Sequence, residues 1–145
     1  MNILIINGPN LNFLGIREPE IYGYQTYADL IKYLKKLSRN YKIKVKTYQS
    51  NHEGDIIDYI QNKYQKFDAI IINPGALTHY SYALLDCIKS ISVPTIEVHL
   101  SDLSKRESFR QNSVIAEACV ASIMGKHFES YHDAIKFIVR GLKHE

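Results

Sequence analysis

Two short runs, Ile3–Ile6 and Ala69–Ile72, are apolar at every position. A strand with one face in water alternates polar and apolar residues. An unbroken run therefore reads as a strand covered on both faces, which is the situation in a parallel sheet packed between helices. Ile43–Tyr48, Thr95–Val98 and Cys119–Ile123 read as three further strands. Helical patterns fill the intervals. Tyr27, Leu30, Ile31, Leu34 and Leu37 follow the i, i+3, i+4, i+7 stripe, and Thr26 with Asp29 forms a capping box at its start. Ser50-Asn51-His52-Glu53 gives the same signal ahead of Ile56, Ile57 and Ile60. Thr78 is expected to cap a third helix running to about Ser90, before Pro94 opens the next strand. Ser130 with Asp133 precedes a last helix containing Ala134, Ile135, Phe137 and Ile138.

Strands alternating with helices predict a doubly wound α/β sandwich, a five-stranded parallel sheet of flavodoxin-like order 2-1-3-4-5. No repeat, linker or low-complexity tract divides the chain, so residues 1–145 are expected to form one domain. The net charge of +3 is too small to argue for nucleic acid. The lysines of 32–46 alternate with apolar residues and read as a solvated face. No signal peptide is evident and no apolar run nears the ~18 residues of a membrane span. Cys87 and Cys119 are too few for a disulfide framework and lack metal-ligand spacing. A cytoplasmic protein without membrane partners is expected.

Ligands of such sheets bind beyond the carboxyl ends of the strands, near the point where strand order reverses. Three polar clusters fall there: Asn7–Tyr22, Asn73–His79 and Glu97–Ser101. The connection over residues 7–26 far exceeds the ~2–6 residues usual between a strand and a helix. Its asparagines, arginine and tyrosine suggest a functional lid. Tyr22 beside Arg17 is a candidate base, because an arginine cation favours a phenolate. Composition alone does not separate that pair from an ordinary tyrosine beside an exposed arginine. Glu97 and His99, two apart on a strand, point to one face, so Glu97 is able to orient a histidine acid. A hydrogen-bonded structural histidine fits that spacing equally. His52, His127, His132 and His144 read as surface residues. Asn73-Pro74-Gly75-Ala76 is a turn able to bind hydroxyls or a carboxylate, and Arg110 is a natural carboxylate partner. Lys105 and Arg106 read as ordinary surface charge. No glycine-rich nucleotide fingerprint and no H-E-x-x-H spacing is present, so neither a nucleotide cofactor nor a metal is expected.

Together these segments resemble type II 3-dehydroquinate dehydratase over essentially the full length. The resemblance rests on Asn7–Gly23, Gln49-Ser50-Asn51 to Gly54, Asn73-Pro74-Gly75-Ala76 with Thr78-His79, and Glu97-Val98-His99-Leu100-Ser101 followed by Arg106, Glu107, Phe109 and Arg110. It implies a flavodoxin-like, cofactor-independent lyase of the shikimate pathway that converts 3-dehydroquinate to 3-dehydroshikimate. By matching position, Tyr22 would be the base, Arg17 its activator, Asn10 the holder of an enolate-stabilising water, and His99 the acid. Asn73, His79, Asp86, Leu100, Ser101 and Arg110 would bind the substrate. The resemblance also implies a homododecamer of four trimers. Asp86 lies seven residues beyond His79 on the expected third helix, which suggests that it reaches a neighbour's site. Asp102, Gln111 and Glu129 depart from the usual pattern, and Asp102 would add negative charge beside an anion site.

Two other classes fit the same fold. A non-catalytic receiver or flavin-binding module is disfavoured, because the first loop lacks paired acids and a Ser/Thr-rich phosphate cradle. Metal-assisted hydrolysis would draw on His79, His99 and Glu97.

Overall fold

The computed structural model of the chain describes residues 1–16 and 18–141, so Arg17 and His144 lie outside the described residues. Among the described residues, five parallel strands form one sheet: β1 (Asn2–Asn7), β2 (Lys44–Gln49), β3 (Ala69–Asn73), β4 (Thr95–His99) and β5 (Ala121–Met124). Their order is β2-β1-β3-β4-β5, as the alternation predicts. The helices are α1 (Pro19–Tyr22), α2 (Tyr27–Tyr41), α3 (Glu53–Lys63), α4 (Tyr82–Ser90) and α5 (Glu129–Val139).

The apolar runs divide by strand period. Ile3, Ile5, Ala69, Ile71, Ile96 and Val98 pack under α2 and α5 against Leu30, Leu34, Tyr131 and Ile135. Leu4, Ile6, Ile70 and Ile72 pack on the other face, against Ile56, Ile60, Leu84 and Ile88 of α3 and α4. Complete burial of both faces explains why β1 and β3 carry no polar position between their ends, whereas β4 buries Glu97 at its centre. Each of the first four strands then closes on a polar residue: Asn7, Gln49, Asn73 and His99. Register sets Asn7 beside both Gln49 and Asn73.

Several local expectations need correction. Thr26 and Asp29 do form the reciprocal capping box of α2. Thr78, however, lies in a 3-10 turn over Gly75–His79, and Ser81 caps α4 by accepting the Leu84 N–H at 3.0 Å. His79 and Asp86 therefore do not share a helix. The Ser50 hydroxyl accepts the His52 N–H at 2.9 Å one residue ahead of α3, whose cap position is His52 itself. Ser130 is buried inside α5, where its hydroxyl accepts the Lys126 N–H. Cys119 precedes β5, because the turn Ala116–Ala118 holds its N–H. Burial pushes its thiol up to about 12, which leaves it unreactive near neutral pH. His132 is half-buried and bonded to the Tyr41 hydroxyl at 2.8 Å. Among the described residues no helix is long and apolar enough to cross a membrane.

Candidate active site

A narrow cleft, partly open to solvent, lies at the carboxyl ends of β3 and β4. The first connection closes one side through Leu11 and Tyr22, and the segment after β4 closes the other through Leu100, Ser101, Leu103, Arg106 and Arg110. Asn73, His79 and His99 complete the polar lining. Seven of the expected site residues thus meet here: Tyr22, Asn73, His79, His99, Leu100, Ser101 and Arg110. Asn10 stands outside this lining, on the exposed loop, in a left-handed conformation (φ 69°) with its N–H bonded to Asn51 Oδ1 at 3.0 Å. Asp86 is exposed on α4 and does not line the cleft. Glu97 lies behind it.

The Glu97 carboxylate is fully buried and accepts three bonds, from His99 Nε2 (2.7 Å), Ser113 Oγ (2.6 Å) and Ser122 Oγ (2.7 Å). Burial pushes this carboxyl up, but the bond and charge of His99, with the two hydroxyls, hold it below its ordinary range. An ionised carboxylate only accepts, so Nε2 of His99 carries a hydrogen and the ring orientation is set from behind. His79 is set similarly. Its Nδ1 donates to the Asn112 carbonyl at 2.8 Å, which makes Nε2 the acceptor of the neutral ring.

Arg106 is not the ordinary surface charge that its neighbours suggest. Its side chain is only 9% exposed, and Nη1 donates to the Tyr22 hydroxyl oxygen (3.0 Å) and to Ser101 Oγ (3.2 Å). Its guanidinium also lies 5.4 Å from the centre of the Tyr22 ring. Burial works against its charge, but Tyr22, Glu107 and Glu18 outweigh that and hold the guanidinium more firmly protonated. Flanking charges at Lys105 and Arg110 made it look solvated. The available signal was its place shortly after the strand end that presents His99. Gln111 helps hold it there by donating to the Arg106 carbonyl at 2.8 Å. Arg110 spends its Nε on Glu107 (3.0 Å), with its guanidinium over the Phe109 ring.

Asp102 does not aim its charge into the cleft. Its Oδ1 caps the Leu103–Lys105 turn through the Ser104 N–H and hydroxyl, at 3.0 and 2.6 Å. Among the described residues no group of three or more His, Cys, Asp and Glu is placed to hold a metal ion.

A model of the family described as dehydroquinase class II matches residues 1–139. A 3-dehydroquinate dehydratase from Clostridium acetobutylicum is 55% identical over 131 residues, spanning 90% of this chain and 91% of the relative. The crystal structure of the type II dehydroquinase from Butyrivibrio crossotus superposes with a TM-score of 0.93 at 48% identity over 97% of both chains. That of the type II dehydroquinase from Propionibacterium acnes gives 0.92 at 34% identity over 96% of both.

Proposed function

The chain belongs to the class II dehydroquinase family, and we propose that it removes water from 3-dehydroquinate to give 3-dehydroshikimate, a step of the shikimate pathway. The observation that carries the mechanism is the meeting of two separately supported groups on one cleft. The Tyr22 oxygen is held on the Arg106 guanidinium, and His99 is held on Glu97.

Removing a proton beside a ketone needs a base and a place for the enolate's charge. Losing the β-hydroxyl needs a separate acid. Tyr22 takes the proton, with the Arg106 cation facing the oxygen that must carry negative charge beforehand. The electron pair of the broken C–H bond becomes the enolate. It then forms the new double bond as the carbonyl returns and the C–O bond breaks. His99 donates the proton with which the hydroxyl leaves as water. Glu97 keeps its ring in line. Arg17 as a second cation and Asn10 as holder of the enolate's water follow from the matching sequence pattern. Asn73, His79, Ser101, Arg110 and the backbone at Leu100 offer donors and acceptors for the carboxylate and hydroxyls. No step calls for a metal, a nucleotide or a Schiff-base lysine.

The test is purified protein with 3-dehydroquinate, followed by the ultraviolet absorption of the conjugated enone. Activity is expected to survive both a chelator and borohydride added with substrate. Covalent trapping of substrate on a lysine would overturn the mechanism.

The same reading gives a cytoplasmic homododecamer of four trimers, in which Asp86 reaches into a neighbour's site. Tyr80, Tyr82 and Phe109 are 61%, 64% and 61% exposed. Phe109 stands edge-on to His79, and Tyr82 lies one helical turn before Asp86. Exposed aromatics beside a cleft favour a face that another subunit covers.

A further inference from the structure

Tyr131, on the buried face of α5, is wholly buried and absent from the cleft lining, yet it touches one of the cleft's polar groups. Its hydroxyl lies 3.0 Å from Asn73 Nδ2 and 2.5 Å from Asn7 Oδ1. The strand register explains the meeting. Asn7 and Asn73 are direct partners on β1 and β3, on the face that α5 covers.

The polarity of this chain of bonds is determined from one end. The Gly75 N–H can only donate, and it points at the Asn73 side-chain oxygen at 3.2 Å. That assigns the oxygen and turns the amide nitrogen toward Tyr131. The nitrogen can only donate, so Tyr131 accepts there and must give its single proton to Asn7. Burial pushes the Tyr131 phenol up, Asn73 pulling the other way, so that proton stays in place near neutral pH. Gly75 can take this role because it sits at φ 61°, so close to Pro9 that a Cβ would lie 2.8 Å from the Pro9 carbonyl oxygen.

We infer that Tyr131 is a positioning residue: it locks the Asn73 amide so that the second Nδ2 hydrogen is left for an acceptor oxygen of the substrate. Held from both ends, the amide cannot turn over and present its oxygen in the nitrogen's place. This rests on the proposed role of Asn73 as a substrate contact.

Tyr131→Phe removes only the oxygen. Loss of a well-oriented hydrogen bond to bound substrate should raise KM by roughly 10-fold while kcat stays within about twofold. In an Asn73→Ala background the same change should add nothing further. An unchanged KM, or losses that multiply across the two sites, would overturn the inference. If Asn73→Ala alone leaves KM unaltered, the substrate role of Asn73 is what fails, and the inference fails with it. A readout free of catalysis is the Asn73 side-chain amide in a nuclear magnetic resonance spectrum. Slow exchange of one Nδ2 hydrogen in the wild type should become fast in Tyr131→Phe, and equal exchange in both counts against the lock. Should Tyr131→Phe fail to fold, Asn7→Ala leaves the tyrosine's proton to compete for the Asn73 oxygen, and the same rise in KM is expected. A wild-type KM there overturns the inference equally.

Discussion

Tyr22 and His99 share a cleft but are prepared by different means, and the difference sets what each substitution should do. Tyr22 meets a cation through its oxygen, so Tyr22→Phe removes both the proposed base and the cation's partner. Turnover should fall by about 10²–10⁴-fold, the usual worth of general acid–base catalysis. Calorimetry should still find a product-like ligand bound by this variant. Arg106→Ala leaves the phenol in place without its donor. It should lower kcat in a turnover assay. An unchanged kcat would separate Arg106 from the proton transfer. His99 instead depends on a buried carboxylate whose three donors hold it below its ordinary value of 4.5. A carboxyl lowered in the folded state stabilises the fold above its unfolded pKa, and that contribution is lost as pH falls through the folded value. Stability should therefore decline below about pH 4.5, and the Glu97→Gln variant should show a shallower decline in thermal midpoints across that range.

At the scale of elements, the first connection is not one long loop. Gly8 N–H reaches the Asn73 carbonyl at 2.7 Å, and Leu11 and Leu14 are buried, so its first part is anchored to the sheet. Beyond Leu14 the apolar side chain of Ile16 is 72% exposed, and the short helix α1 carries Tyr22. Gly23 ends that helix at φ 84°, a conformation that most residues adopt only under strain. A lid that closes over substrate should therefore move in its second part alone. Amides from Glu20 to Gly23 should gain hydrogen-exchange protection when a tight product-like inhibitor binds, while Leu11 and Leu14 change little. Equal protection along the whole segment, or none, would count against a divided lid. Length and composition marked this connection as functional. Its division could not be read there, because the anchors are contacts to β3 and the core.

At the scale of the whole molecule, the start of α4 at Tyr82, beyond His79, bears on assembly. His79 sits in the turn before the helix and lines the cleft, whereas Asp86 lies outside it, so the two are not stacked along one helix face. If Asp86 serves a neighbour, mixed oligomers of inactive Asp86→Ala and inactive Tyr22→Phe subunits should regain activity, because some sites then hold both wild-type residues. Properly mixed oligomers that stay inactive, beside recovering wild-type controls, would place Asp86 outside the site. The sheet order, the two-sided core and the cap of α2 were legible in the chain itself. Burial on both faces demands apolar residues at successive positions, and a capping box is written within four residues. Glu97 with His99 was legible for the same reason, since two positions on one strand share a face. The pairing of Arg106 with Tyr22 spans 84 positions and that of Asn73 with Tyr131 spans 58. Bonds of that reach are created when the segment after β4 folds over the cleft and α5 packs on the strand ends, and no local periodicity records them. Tertiary structure alone decided that Arg106 meets the tyrosine and which way the Asn73 amide faces.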